Sequence, residues 1–400
     1  MVVVSVLAMI VGPPPVLILS FVVFVPEFQA AFGWSIQAIS VRTTLMSLIL
    51  VTIAPLQGYL VDHLGCRALI LISMPLFGVG VLCMSQLGSH IGLYYLACLL
   101  VPIAGLGLWP LTYMKMVSTW FDRRLGLALG CLNVGNGLGG AIIPLLLGIL
   151  FSLYGWRSAY LFLGLINIAV AWPFAALWLR ERAPAAIERA IAAPMLARGL
   201  HFEQAIRSST LYIIAVGFFV IGLLSAAFLV HQFNILFEIG ITKRTATFLQ
   251  SYLGVASIVG QLLVGWLMDR FAAGRIVAGM LALIALACVA YATSLAAVFA
   301  LPCVTVMGFM IGAEMNILGY MIKRYFGERA FGKIYGLIFA VFACGAALGA
   351  QILALSRTVL HSYSPGLFAI AGLCLAAAAL FLQLAPYRFE MSRVASPVPH

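Results

Sequence analysis

The sequence predicts an all-helical integral membrane protein, in which twelve transmembrane helices form two six-helix bundles related by pseudo-symmetry. Three observations lead to this prediction. Of the 400 residues, 64% are hydrophobic and only 8% are charged, whereas about 25% of the residues in a soluble domain are charged. The apolar residues form runs long enough to cross a bilayer. Sequence features of the first half also recur in the second half.

Twelve apolar runs lie between charged or turn-rich breaks, and each is a predicted transmembrane span. The spans must be helical, because lipid offers the backbone no hydrogen-bond partner. They lie near residues 2–25, 36–61, 69–87, 91–118, 127–151, 157–179, 208–234, 246–268, 276–295, 298–322, 332–356 and 363–385. Pro13, Pro14 and Pro15 are expected to kink or unwind the first of these helices.

The positions of the positive charges predict the orientation. If both chain ends are cytoplasmic, sixteen of the 22 Lys and Arg residues fall in cytoplasmic segments, in agreement with the positive-inside rule. This charge marks a membrane face and does not indicate a nucleic-acid partner. The predicted domains are an N-terminal six-helix bundle (1–179), a cytoplasmic linker (180–207), a C-terminal six-helix bundle (208–386) and a cytoplasmic tail (387–400).

A short polar motif occurs once in each half of the chain. GYLVDHLGCR at 58–67 matches GWLMDRFAAGR at 265–275, and each motif lies between the second and third helices of its half. STWFDRRLGLALG, after the fourth span, similarly matches KRYFGERAFGKIYG, after the tenth span. Two similar six-helix halves are typical of transporters that rock about a central site.

At these motifs the chain resembles the major facilitator superfamily, whose helix 2–3 motif is roughly G-x-x-x-D-R-x-G-R. WFDRRLGLALGCLNVGNGLGG, AFGWS and GWRSAYLFLG further resemble its monocarboxylate porter and oxalate–formate antiporter branch. The resemblance implies that the motif residues form gating contacts, which hold one closed state and break when the halves rock. They are Gly58, Asp62 and Arg67 in the first copy, and Gly265, Asp269 and Arg270 in the second.

The chain also departs from this branch. Members commonly carry an arginine in helix 8 that binds the substrate carboxylate, and Gln261 stands at that place here. The usual carboxylate clamp is therefore absent in its unchanged form. Several polar residues could instead supply hydrogen bonds to a ligand, although polar residues also join helices to one another. They are Tyr113, Gln250, Tyr252, Gln261, Asn316 and Tyr320.

Three ionisable residues are predicted to lie at membrane depth, where such groups are costly and commonly functional. Glu314 is expected to carry a proton or contact substrate, and the alternative is a structural ion pair. Arg42 could replace the missing helix 8 arginine, since a guanidinium binds carboxylates in bidentate fashion. It could also form an outer gate or snorkel to the interface. Lys115 is expected either to face the cavity or to snorkel towards the cytoplasmic headgroups.

His231, near the outer end of helix 7, has two candidate roles. Its ordinary pKa suits a proton relay, but a lone histidine is more often a satisfied structural residue. Both interpretations remain open at this stage.

These observations predict a secondary transporter of a small organic anion, a carboxylate by resemblance, that uses alternating access. Coupling to protons through Glu314 or His231 is one option, and exchange of two anions is another. The alternative is a transporter of a neutral or cationic, drug-like solute that uses Glu314. A membrane enzyme or a transporter-like sensor is the least expected alternative, because the sequence shows no nucleophile–base pair, metal cluster or nucleotide loop, and a sensor would need a signalling domain. We expect no cofactor, a monomer, and a location in the inner (plasma) membrane.

Overall fold

The computed structural model describes residues 2–181, 199–293, 296–385 and 387, and within these ranges it is helical with no strand. The described chain crosses the molecule twelve times, and we number the crossings α1 to α12. They are α1 (Val2–Ile10, Pro14–Leu19 and Phe21–Phe32), α2 (Ile36–Leu64), α3 (Cys66–Met84), α4 (Ile91–Ala104, Leu106–Leu108 and Pro110–Ser118), α5 (125–154), α6 (156–178), α7 (Ser209–Glu238), α8 (Lys243–Met268), α9 (Ala273–Ala292), α10 (Ala296–Phe326), α11 (Phe331–Val359) and α12 (Ser364–Leu382).

Ten segments of the described chain are long and apolar enough to span a membrane, and local features account for the other two crossings. Gly155 has a φ of 75° inside the helical stretch Leu125–Leu165. Glycine adopts this conformation readily, so the chain turns there and α5 passes into α6. Ile91–Ala104 is a shorter apolar helix, and the two segments that follow it complete α4. The predicted twelve-helix fold is confirmed.

Proline interrupts α1, as the sequence predicts. The first helical segment ends at Ile10, and Pro14–Leu19 is π-helical. Proline has no backbone N–H, so it leaves carbonyl groups without their helical partners. A buried side chain supplies one replacement, because Asn167 Nδ2 donates to the carbonyl oxygen of Val11 at 3.2 Å.

Large apolar side chains cover the outer faces of the helices. Leu145 is 73% exposed and Val298 is 78% exposed. Exposure of many such side chains to water would be unfavourable, whereas lipid surrounds them without this cost. The protein is therefore an integral membrane protein, and its polar contacts are concentrated within and between the bundles.

The two halves meet where α2 packs on α11 and α5 packs on α8. We call the end that carries the loops at 65, 119–124, 269–272 and 327–330 the basic end, because Arg and Lys residues cluster there. Of the predicted linker (180–207) and tail (387–400), residues 182–198 and 388–400 lie outside the described residues. The domain boundaries therefore remain predictions. In the described second part of the linker, the amide of Leu200 donates to the carbonyl oxygen of Phe326 at 2.8 Å.

Candidate functional site: the contact between the bundles

Asp62 of α2 caps the first turn of α11 in the other bundle. Its carboxylate oxygens accept hydrogen bonds from the backbone amides of Gly332 and Lys333, both at 2.9 Å. Amides in the first turn of a helix have no partner within that helix, and the helix dipole favours a negative charge there. Asp62 therefore links the bundles at the basic end.

Asp269, which follows α8, makes the reciprocal contact. Its carboxylate oxygens accept hydrogen bonds from the amides of Gly126 at 2.7 Å and Leu127 at 2.9 Å, in the first turn of α5. The duplicated motif thus forms two equivalent contacts. In each of them an aspartate of one bundle caps a helix of the other bundle.

Glycine lets the backbones approach closely at both contacts. A Cβ atom on Gly58 would lie much less than 3.0 Å from the carbonyl oxygen of Gly332. A Cβ atom on Gly126 would also lie much less than 3.0 Å from the carbonyl oxygen of Gly265. Real Cβ atoms essentially never come so close to other heavy atoms. A larger residue at any of these four positions would force the helices apart.

Ion pairs extend the contact between the α4–α5 loop and the end of α10. Arg324 Nη1 lies 3.2 Å from Asp122 Oδ1, and Nη2 donates to the carbonyl oxygen of Asp122 at 2.7 Å. Lys323 Nζ donates to the carbonyl oxygens of Ser118 and Phe121. These contacts also connect one bundle to the other.

Lys115 lies beside Asp62. Its Nζ is 2.6 Å from Asp62 Oδ1 and donates to the carbonyl oxygen of Val61 at 3.3 Å. The sequence left open a cavity-facing and a snorkelling position, and the structure shows the Lys115 ammonium paired with Asp62. The physical reason is that the largely buried Asp62 carboxylate attracts a counter-charge.

Tyr320 occupies the corresponding place in the second half, 205 residues after Lys115. Its hydroxyl donates to the carbonyl oxygen of Met268 at 2.7 Å, just as Lys115 contacts the carbonyl before Asp62. The two contacts therefore share a backbone arrangement, but only the one at Asp62 contains a lysine.

A buried group of amide side chains lies further from the basic end, between α5, α8 and α10. Asn133 Nδ2 donates to Asn316 Oδ1, and Asn316 Nδ2 donates to the carbonyl oxygen of Gln261 at 3.4 Å. The structure thus brings two predicted ligand-binding residues, Gln261 and Asn316, together. Within the described chain, Gln261 Oε1 and the Tyr113 hydroxyl are buried with no hydrogen-bond partner. Such atoms gain most from a ligand.

Glu314 of α10 lies within the C-terminal bundle. Its Oε2 accepts a hydrogen bond from Ser225 Oγ of α7 at 2.6 Å. None of the Lys, Arg or His nitrogens in the described ranges lies within 4.0 Å of this carboxyl group. Glu314 therefore takes part in no structural ion pair there, and a proton can bind it without breaking one.

Arg42 belongs to α2, and its side chain lies against α1 inside the N-terminal bundle. The residue is only 4% exposed. Its guanidinium donates to the carbonyl oxygen of Leu17, at the π-helical part of α1, and lies 4.3 Å from the centroid of the Phe21 ring. Across the described residues, no Asp or Glu carboxylate lies within 4.0 Å of it. Arg42 is thus a buried cation without a carboxylate partner, and it does not snorkel.

His231 makes two contacts within the C-terminal bundle. Its Nε2 donates to the carbonyl oxygen of Ala350 at 3.0 Å, and its Nδ1 lies 3.4 Å from the Tyr363 hydroxyl. A carbonyl can only accept, so Nε2 carries a hydrogen, and neutral imidazole can accept at Nδ1. This arrangement favours the structural interpretation over a proton relay.

The two arginines predicted as gating residues contact their own bundles. Arg67 Nη2 donates to the carbonyl oxygen of Ala176 at 2.9 Å. The Arg270 guanidinium lies 4.0 Å from the centroid of the Trp266 ring. Arg67 therefore braces α3 against α6, and of the predicted gating residues the two aspartates make the hydrogen bonds that cross between the bundles.

The sequence prediction omitted several residues at this contact, namely Asp122, Asn133, Lys323 and Arg324. The repeat of STWFDRRLGLALG and KRYFGERAFGKIYG contains three of them and was the available signal. Asn133 has no comparable signal, because one polar residue among the apolar and glycine residues of α5 does not reveal its partner.

The chain thus forms two helical bundles joined by reciprocal contacts, an arrangement typical of transporters. Comparison with known proteins identifies the family. The sequence model of the Major Facilitator Superfamily matches residues 16–350 of this chain, with a further match over residues 213–396. The chain belongs to this superfamily, whose members are transporters of small molecules and not enzymes.

The curated relatives include monocarboxylate transporter 12 of Xenopus laevis, which is 26% identical over 269 residues. This alignment covers 62% of this chain and 58% of the relative. Riboflavin transporter RibJ of Trypanosoma brucei brucei is 32% identical over 150 residues, covering 38% of this chain and 27% of the relative. Among solved structures, a variant of the E. coli fucose:proton symporter FucP aligns with a TM-score of 0.70 at 16% identity, covering 95% of this chain and 98% of that one.

Proposed function

We propose that this chain is a secondary transporter that moves a small organic anion, a carboxylate, by alternating access. The observation that carries the proposal is the location of the contacts between the bundles. Among the described residues, the two aspartate caps, the Asp122–Arg324 ion pair and the Asn133–Asn316 hydrogen bond join the bundles from the basic end to the level of Asn133 and Asn316. This arrangement is closed at the basic end, and opening it requires the aspartate caps and the neighbouring ion pair and hydrogen bonds to separate together.

Two features support an anion as substrate. The curated relatives include proteins named monocarboxylate transporters, and Arg42 is a buried cation with no carboxylate partner in the described chain. A guanidinium can bind a carboxylate through two parallel hydrogen bonds. In this proposal Arg42 is the anion-binding group and Lys115 belongs to the closed contact. Glu314 is the proton-coupling group.

The test is thermal stability of the detergent-purified protein with monocarboxylates, dicarboxylates, aromatic acids, sugars and organic cations. A ligand that binds only the folded state raises its stability. We expect stabilisation by one carboxylate class, and loss of that stabilisation in Arg42→Gln. Arg157→Gln is the matched control, because Arg157 also donates to a carbonyl oxygen, that of Leu87 at 3.2 Å, and stacks on Trp156 at 4.4 Å.

A second candidate, a transporter of a neutral or cationic solute, is favoured by two observations. Glu314 has no cationic partner among the described residues, so it could pair with a positive ligand, and one relative is named a riboflavin transporter. Stabilisation by neutral or cationic compounds alone, abolished in Glu314→Gln and kept in Arg42→Gln, would establish this candidate and reject the anion.

A further inference from the structure

A cavity lies at the basic end of the C-terminal bundle, beside the contact between the bundles, with which it shares Asp269 and Arg324. Its volume is about 470 Å³, and the ends of α8, α10 and α12 and the start of α9 enclose it. The charged side chains in its wall are Asp269, Arg270, Arg275 and Arg324, and Tyr320, Tyr325 and Tyr387 also line it. Three arginines against one aspartate make it a cationic cavity.

Two of the three arginines in the cavity wall have no carboxylate partner in the described chain, whereas Arg324 is paired with Asp122 at 3.2 Å. Arg270 and Arg275 have no carboxylate within 4.0 Å in the described part of the chain, and the Nε of the buried Arg324 has no hydrogen-bond partner there. The Asp269 carboxylate is engaged by the amides of Gly126 and Leu127. The first turn of α9 adds the positive end of a helix dipole at Ala273. These groups together favour an anion.

Apolar side chains stand beside these cations. Phe271 is 59% exposed and Leu382 is 64% exposed, and both line the cavity. The cavity lies where the helices end, which is the depth of the lipid headgroups in a bilayer. Arginine recognises phosphate oxygens through its planar set of donors, and the exposed apolar groups can contact acyl chains.

We propose that this cavity binds the phosphate headgroup of an anionic phospholipid from the leaflet at the basic end. Arg270 and Arg275 contact the phosphate, and the acyl chains lie against Phe271 and Leu382. The proposal does not depend on which solute is transported. The cavity adjoins the Asp269 contact, so a bound lipid lies within reach of the contact between α8 and α5.

The experiment is native mass spectrometry of the full-length, detergent-purified protein with phosphatidylglycerol, with phosphatidylcholine, and with glycerol phosphate. We expect one tightly held phosphatidylglycerol and much weaker binding of the other two. Each Lys or Arg near a membrane surface contributes about 1 kcal/mol to anionic lipid binding, so Arg270→Gln/Arg275→Gln should weaken binding about thirtyfold. Arg275→Gln alone, which removes one exposed charge, should give an intermediate loss.

The matched control is Arg123→Gln/Arg329→Gln, which removes two exposed charges at the same end without altering the cavity wall. It should bind phosphatidylglycerol as the unmodified protein does. An equal loss in this control would show non-specific surface attraction and overturn the proposal. Unchanged binding in Arg270→Gln/Arg275→Gln, or equal binding of glycerol phosphate, would overturn it as well.

Discussion

At the scale of single residues, the two halves differ most at Lys115 and Tyr320. Lys115 gives Asp62 a counter-charge at 2.6 Å, with side chains only 13% and 5% exposed. Tyr320 gives the second half a hydroxyl that bonds to the carbonyl oxygen of Met268. The loss of Lys115 therefore leaves a buried charge with fewer partners, whereas the loss of the Tyr320 hydroxyl leaves one carbonyl without that bond.

We expect Lys115→Met to lower the free energy of unfolding by about 3 kcal/mol and Tyr320→Phe by about 1 kcal/mol. The double variant Lys115→Met/Asp62→Asn should recover part of the loss, because it also removes the unpaired charge. Denaturant unfolding of the purified protein measures all three. Equal costs for the two single variants would contradict this asymmetry.

Glu314 gives a second prediction at this scale. The side chain of Glu314→Gln can still accept the hydrogen bond from Ser225 but cannot gain or lose a proton. In proteoliposomes it should retain exchange of labelled for unlabelled substrate and lose accumulation driven by a proton gradient. The control is Glu238→Gln, since Glu238 is paired with Arg357 at 3.2 Å. Proton-driven accumulation that persists in Glu314→Gln would remove Glu314 from the coupling step.

At the scale of helices, each aspartate cap protects a different segment. Asp62→Ala should speed hydrogen exchange at the amides of Gly332 and Lys333, and Asp269→Ala at those of Gly126 and Leu127. A helix cap contributes about 0.5–2 kcal/mol, which corresponds to roughly twofold to thirtyfold faster exchange where exchange follows local opening. Each variant serves as the control for the other. Equal acceleration at both segments would show that the two contacts open together.

The glycines of α2 and α11 lead to a separate prediction. Gly58→Ala places a Cβ against the backbone of Gly332, so it should push α2 from α11 and disfavour the closed basic end. Gly254→Ala in α8 is the matched control, because no atom lies within 4 Å of the added Cβ. Exchange of the Gly332 amide should rise in Gly58→Ala only. A rise in both variants would point to a general loss of stability.

The sequence was sufficient to predict the helices, because each transmembrane helix needs a long apolar segment. Such a segment can be recognised from consecutive residues alone. It placed the end of α1 near residue 25, whereas the helical segments continue to Phe32, since proline and glycine breaks do not fix where a broken helix resumes. The duplicated motif indicated Asp62 and Asp269. It could not indicate the capped amides of Gly332 and Gly126, or the position of Lys115, because these contacts depend on packing between distant segments.

At the scale of the whole molecule, charge asymmetry predicts the orientation. We expect the basic end and both termini to face the cytoplasm. A cysteine introduced at Gly88, in the loop before α4, should react with an impermeant maleimide in intact cells. One introduced at Glu203, in the short helix Phe202–Ile206, should react only after permeabilisation. The parent chain, with its eight native cysteines, gives the background. The reverse pattern would invert the topology.

The glycine crossings at Gly58 and Gly332, and at Gly126 and Gly265, have a thermodynamic consequence. At these points the bundles meet through main-chain atoms and carboxylate caps, so their separation exposes peptide groups and little apolar surface. Exposed apolar surface raises the heat capacity, whereas exposed polar surface lowers it. Opening of these crossings should therefore carry a small heat-capacity change, and their contribution to the open–closed equilibrium should follow a nearly straight van't Hoff plot.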